Sequence, residues 1–262
     1  MGYADVLPST TRRYEFKGIQ HCLEIVEGPE EEDEQYEQYA GSTLLDGKYV
    51  IFTIDEGSFL DCFLNAEESS LRKSWEAYDP SMNELLVKTI ESVPHSVGTG
   101  TFTHLFHRWL GPYDANYPLI GIGTTSCRGS SNNRKRPDCA WVPKHSGLDR
   151  KWPTIVVEVS YSETPAKMMR DVNFWLNESS GQVNIVLTVR IHERRRISIQ
   201  QWKMGNRTPF SVQKLEIAKN PAPNYKSLSA SALDYPAPLS LQNIRSLHTS
   251  FATSLYLSLP TY

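Results

Sequence analysis

The sequence predicts an α/β protein built on a mixed central sheet flanked by helices, and three observations carry that expectation. "TIVVEVS" (154–160) and "VNIVLTVRI" (183–191) are near-continuous apolar runs of strand length, as in strands covered on both faces. Between them, Thr164-Pro165 supplies a helix N-cap and first-turn pair; Met168, Val172, Trp175 and Leu176 then fall on one stripe, with a stop near Gly181. Strand, helix and strand in that order form a crossover unit, so part of the sheet is parallel.

The remaining elements read in order. "KYVIFTI" (48–54) and "ELLVKTIES" (84–92) have strand composition, the second introduced by the turn-forming "YDPSMN". After Pro94, Phe102, Leu105, Phe106 and Trp109 recur at helical spacing on a helix weakened by Gly98 and Gly100. "CAWVP" (139–143) is a short strand. "RISIQQWK" (196–203) alternates and is expected to pair with the preceding strand across "HERRR", and "SVQKLEI" (211–217) to add an edge. The stretch 239–259 reads as a C-terminal helix packed on the sheet. One domain over 1–262 is the simplest parse. It carries an acidic flexible loop at 27–39 and an extended Pro/Ser-rich arm at 219–238.

Composition narrows the function classes. With 39% hydrophobic residues, 22% charged residues and a net charge of −3, the chain has ordinary globular content and no general attraction for nucleic acid. Contact with phosphate needs a local patch, for which "RKRPD" (134–138) and "HERRR" (192–196) are the candidates; a solvated loop and a hairpin turn are the plainer meanings. Cys22, Cys62, Cys127 and Cys139 lack paired or zinc-type spacing and read as reduced thiols. His104 and His107 share a helix face without a cysteine nearby, a weak basis for zinc. No apolar stretch reaches bilayer length, and the N-terminus has neither an apolar signal core nor a Ser or Thr at Val6 for myristoylation. A soluble cytoplasmic protein is expected, with the nucleus as the other compartment.

The chemistry lies in two acids. Asp138 opens a short apolar strand, and Glu158 sits in the middle of another. A buried carboxylate without a partner loses several kcal/mol of solvation, so each needs a cation, a metal or strong donors. If the two strands pair, both acids can converge on one divalent ion, an arrangement suited to phosphodiester hydrolysis.

"RPDCAW…TIVVEVS" resembles the PD-(D/E)XK signature of the restriction-endonuclease-like superfamily. "EVSYSETPAKMMRDVNFWLNESSGQVNIVLTVRIH" and "SWEAYDP…ELLVKTIES…PH" resemble a fungal, uncharacterised branch of it. The likeness covers residues 75–203, and it implies a restriction-endonuclease-like sheet there, with extra N-terminal strands. It also implies that Asp138 and Glu158 are metal ligands in an active nuclease, for Mg²⁺ or Mn²⁺. The motif lysine, however, falls on Ser160, and the helix glutamate that often follows a histidine falls on Ser96 after His95. Lys167 and Arg170 are the candidates to replace the lysine. Asp171 reads as a hydrogen-bonded helix acid.

Three functions follow as expectations. The first is a metal-independent enzyme without cofactor, performing an isomerisation, elimination or cyclisation on a small molecule of fungal secondary metabolism. Asp138, Glu158, His95 and Ser160 would be its catalytic groups, with Tyr161, Trp141, Ser96, Lys167 and Arg170 binding substrate. The second is a Mg²⁺- or Mn²⁺-dependent DNA nuclease with Asp138 and Glu158 as ligands. The third is a non-catalytic binding module.

Overall fold

The computed structural model describes residues 2–27, 49–65, 71–89, 93–110, 119–144, 150–161, 163–192 and 196–218. In chain order, the first half forms β1 (Arg12–Glu15), α1 (Ile19–Glu27), β2 (Tyr49–Thr53), α2 (Glu56–Phe59), α3 (Leu71–Ser74), β3 (Trp75–Asp79), β4 (Glu84–Lys88) and α4 (Val93–Leu110). The second half forms β5 (Leu119–Gly121), β6 (Cys127–Arg128), β7 (Arg134–Lys135), β8 (Cys139–Pro143), β9 (Ile155–Ser160), α5 (Pro165–Glu178), β10 (Ile185–His192), β11 (Arg196–Met204) and β12 (Pro209–Ala218).

The α/β class is as the sequence predicts, but the strands divide between two mixed sheets instead of extending one central sheet. The first has the order β1-β2-β4-β3-β7-β6 and the second β12-β11-β10-β9-β8-β5. β1 and β2 are parallel in the first, β9 and β10 in the second, and the other pairs are antiparallel. The division has a local cause at "RKRPDC". Lys135 ends β7, paired to Ala77 of β3, whereas Cys139 begins β8, paired to Val157 of β9. Pro137 lies between them and offers no N–H for a sheet ladder, so the chain leaves one sheet and enters the other within a few residues.

β9 is buried along its whole length. Ile155, Val157 and Val159 share a core with Phe102 and Phe106 of α4, while Val156 packs with Val172 and Trp175 of α5. By strand alternation Glu158 lies on the α5 side. α4 seats closely because it carries a glycine where it meets β10: a Cβ at Gly98 would lie 2.5 Å from Ile191 Cδ1. α5 starts as its cap residues dictate, with Thr164 accepting the Lys167 N–H at 3.1 Å and Pro165 at its first position. Its buried face is not the apolar stripe expected. It comprises Lys167 and Asp171 as well as Val172, Trp175 and Leu176, with Met168 only half-buried.

In the first sheet, the ring of Phe59 stacks on Tyr78 at 4.1 Å and meets the edge of Trp75 at 5.2 Å, within a core that also takes Val50, Phe52, Leu85 and Val87. β1 and β2 are N-terminal strands of the kind expected, whereas α1 is an addition that the sequence reading lacked. β12 forms the expected edge, and β4 ends at Lys88, before the end expected for that strand. Glu27 closes α1, while the rest of the acidic run, residues 90–92, the 219–238 arm and the expected C-terminal helix lie outside the described residues. Among the described residues, no helix is long and apolar enough to cross a membrane.

Candidate functional site

Where the two sheets and α5 meet, the structure buries a network of carboxylates and ammonium groups. The first sheet contributes Glu76 from β3, Lys88 from the end of β4 and Lys135 from the end of β7. The second contributes Asp138, just before β8, and Glu158 from β9. Lys167 and Asp171 enter from one face of α5, a single turn apart, and Glu163 precedes that helix.

Two ammonium groups lie at the centre. Lys135 Nζ is 3.3 Å from Glu76 Oε1, 3.4 Å from Glu158 Oε1 and 3.1 Å from Asp171 Oδ1. Lys167 Nζ is 2.5 Å from Glu76 Oε1, 2.8 Å from Asp171 Oδ2 and 3.3 Å from Glu163 Oε2, and it faces the Tyr49 ring at 5.1 Å. Tyr49 in turn donates its hydroxyl to Glu163. A third ammonium, that of Lys88, bridges Glu76 Oε2 at 3.8 Å and Asp138 Oδ1 at 3.4 Å. Asp138 Oδ2 also accepts the Val159 N–H at 2.7 Å and lies 3.3 Å from His95 Nε2. Glu158 Oε1 accepts the indole N–H of Trp175.

Burial and charge act against each other here. Burial opposes the charged form of Lys135 and Lys167, but the surrounding carboxylates, Asp171 foremost, outweigh it and hold both ammonium groups well above the ordinary lysine range. Burial likewise opposes ionisation of Glu76, yet Lys167, Lys135 and Lys88 hold it well below the usual carboxylate range. Asp138 is lowered too, because Lys88 and His95 overcome its burial. Glu158 moves in the opposite direction. Burial, together with the charges of Asp171 and Asp138, prevails over the pull of Lys135 and raises it well above the ordinary value. Glu158 is thus pushed toward its protonated form while Glu76 and Asp138 are pushed toward the ionised one.

The residues singled out from the sequence separate into groups. Asp138 and Glu158 belong to the same network, connected along Glu158–Lys135–Glu76–Lys88–Asp138. His95, buried in the first turn of α4, joins them through Asp138. Ser160 is buried at the end of β9, and its hydroxyl has no hydrogen-bond partner among the described residues. Lys167 is in the network, but its ion pairs run to Glu76, Asp171 and Glu163; it is Lys135 that reaches Glu158 and Lys88 that reaches Asp138.

Three expectations need correction. Arg170 does not replace the motif lysine: it pairs with Asp79 at 2.8 Å and lies 3.7 Å over the Tyr3 ring. Trp141 does not form a substrate wall, since it is buried in the core against Phe106, with ring centroids 4.3 Å apart. "RKRPD" is not a solvated basic loop. Lys135 points inward, and the Arg136 guanidinium is held by the carbonyl oxygens of Arg72 and Thr124. Ser96 is exposed, Tyr161 is half-buried just beyond β9, and His104 and His107 are exposed on α4.

Glu76, Lys88, Lys135 and Glu163 were missed as site residues. Glu76 carried a usable signal, because "WEAY" places a carboxylate inside an apolar strand just as "VVEV" does. The donor set does not fit a divalent ion shared by Asp138 and Glu158. Their oxygens already face Lys88, His95, the Val159 N–H, Lys135 and the Trp175 indole. Among the described residues, no group of three or more His, Cys, Asp or Glu side chains is arranged to hold a metal.

The fold and site define an α/β protein with an ion network buried between two mixed sheets. No protein-family model matches this chain, and no curated protein matches it.

Proposed function

We propose that the protein is a divergent member of the PD-(D/E)XK superfamily whose site performs proton transfer on a small organic substrate without a metal. The observation that carries this reading is that Asp138 and Glu158, the two acids of the motif, each meet a lysine ammonium from the opposite sheet. Positive charge is thus supplied by the chain at both acids, where the motif position itself offers only Ser160.

The network is most open at one edge, where the side chains of Asp138 and Lys88 are 15% and 18% exposed. A substrate carbonyl placed there would meet the Lys88 ammonium as a fixed positive charge. Asp138 is a weak base while Lys88 faces it; once the Lys88 ammonium turns to the substrate carbonyl, Asp138 would accept a proton from the adjacent carbon and later return it. An enolate formed in between gains from a cation already in place. Isomerisation, elimination and cyclisation all use such a step. The fungal branch that the chain resembles directs the search to secondary metabolites, in the cytoplasm or nucleus.

The test is to incubate the protein with a fungal metabolite extract in excess EDTA and follow the mixture by mass spectrometry. A compound consumed by the wild type, but not by Asp138→Asn, is the expected result. Consumption that appears only when Mg²⁺ or Mn²⁺ is restored would overturn the reading.

A nuclease is the second reading, favoured by the same lysines, since they restore the charge lost at Ser160. It requires Mg²⁺ or Mn²⁺ to displace those ammonium groups from Asp138 and Glu158. DNA cleavage abolished both by EDTA and by Glu158→Gln would establish it.

A further inference from the structure

We infer that Lys135 and Lys167 stand in place of metal ions, so that the protein supplies from its own chain the two cations of a carboxylate-bridged centre. An ammonium group has three N–H donors. Each of these two meets three carboxyl groups: Glu76, Glu158 and Asp171 around Lys135, and Glu76, Asp171 and Glu163 around Lys167. Glu76 Oε1 is common to both cations, and Asp171 turns one carboxylate oxygen to each. Shared acids of this kind are how a protein holds two positive centres side by side. Both lysines are 1% exposed, so water does not compete for their protons.

The contact lengths bear on which cation fits. Nitrogen-to-oxygen separations of 2.5–3.4 Å suit an ammonium, whereas Mg²⁺ needs oxygens at about 2.0–2.1 Å in an octahedral shell. The three elements that supply the acids around Lys135 are β3, β9 and α5, and drawing them inward by that amount would disturb packing on both faces of β9. The inference deepens the metal-free reading above and shares its premise that the chain provides the charge, but it concerns occupancy of the site and not turnover.

Removing one ammonium should turn its carboxylate cage into a divalent site. Mn²⁺ is the probe, followed by electron paramagnetic resonance and by thermal melting of Lys135→Ala, Lys135→Met and the wild type. Lys135→Ala is expected to immobilise Mn²⁺ and to regain in millimolar Mn²⁺ much of the melting temperature that it loses. Lys135→Met, which fills the space with an apolar chain, is expected to do neither, and the wild type to bind none. A folded Lys135→Ala that takes up no Mn²⁺ overturns the inference, as does a wild type that binds Mn²⁺ equally well.

If Lys135→Ala does not fold, the wild type alone decides. Its Lys135 and Lys167 ammonium signals in ¹⁵N NMR, assigned with Lys135→Arg and Lys167→Arg, should persist unchanged in millimolar Mg²⁺; their loss refutes the assignment. Activity that needs a metal while these signals stay intact would instead count against the proposed function alone.

Discussion

His95 Nε2 lies 3.3 Å from Asp138 Oδ2 and so ties the first turn of α4 to the entry of β8. The same oxygen takes the backbone N–H of Val159 at 2.7 Å, while the other carboxylate oxygen faces Lys88. Asp138 thus joins a helix, two neighbouring strands of one sheet and the end of an interior strand of the other. Residues in one such network couple energetically. A double-mutant cycle between Asp138→Asn and His95→Ala, measured by urea denaturation, is expected to show a coupling of about 0.5–3 kcal/mol. Additive losses would mean that the pair is a near contact without energetic content.

Acid should weaken the fold through Glu76 and Asp138, both held below the ordinary carboxylate range by burial-opposing lysines and, for Asp138, by His95. Their contribution is fully present above the unfolded value of about 4 and is lost as pH falls through the depressed folded values. Glu158 has the opposite sign: its raised value favours the fold below about 4.3 and ceases to as pH rises. Thermal melts below about pH 5 should therefore fall less steeply for Asp138→Asn than for the wild type, while above about pH 4.3 the wild type should lose, as pH rises, a stabilisation that Glu158→Gln lacks.

At the alkaline end the lysines dominate. Lys135 and Lys167 are raised in the folded protein by the carboxylates around them. Their stabilisation is complete below the unfolded value of about 10.4 and disappears as pH climbs through the folded values. Melting curves taken above about pH 10 should drop faster for the wild type than for Lys135→Met. Parallel curves would show that Lys135 is not held as an ammonium.

Trp175 donates its indole N–H to Glu158 Oε1, the oxygen that Lys135 Nζ also faces at 3.4 Å. Trp175→Phe preserves most of the ring area and deletes the donor. With Lys135 still facing that oxygen, loss of this one hydrogen bond is expected to cost about 0.5–1.5 kcal/mol, to be read from chemical denaturation. A loss no larger in Trp175→Phe/Glu158→Leu than in Glu158→Leu alone, where the acceptor is gone, would confirm that the cost runs through this bond.

Gly98 sets how near α4 comes to β10. A methyl there meets Ile191 Cδ1, the far end of a flexible side chain. Gly98→Ala gains helix propensity of up to about 1 kcal/mol against a contact that Ile191 can relieve. Gly98→Val adds bulk that it cannot, and overpacking costs about 1–3 kcal/mol. Ile191→Val should recover part of that loss in melting experiments.

The second sheet was legible because its signals are local. β9 and β10 are unbroken apolar runs, α5 opens on Thr164-Pro165, and β11 alternates, so period and caps suffice. The division into two sheets was not, since it depends on a two-residue strand, β7, whose pairing with β3 is a long-range event. The site was half legible for the same reason. Asp138 and Glu158 announced themselves as acids in apolar company, but Lys88 comes from a strand 50 residues before Asp138. Lys135 stood in a run of basic residues that looks alike whether it faces water or the interior. Trp141 shows the converse: its position beside an acid in sequence left open which face of the strand it occupies, and it faces the core.

Glu76, Lys135, Glu158 and Asp171 come from four elements spread over much of the described chain, and their contacts close only once both sheets and α5 are docked. Contacts that need all four elements in place are expected to form after the rate-limiting step of folding and to raise mainly the barrier that unfolding must cross, with unfolding rates of Lys135→Met as the check. The charges between the sheets then act as a latch set after assembly, and loosening it shortens the lifetime of the folded molecule while leaving the speed of its formation nearly untouched.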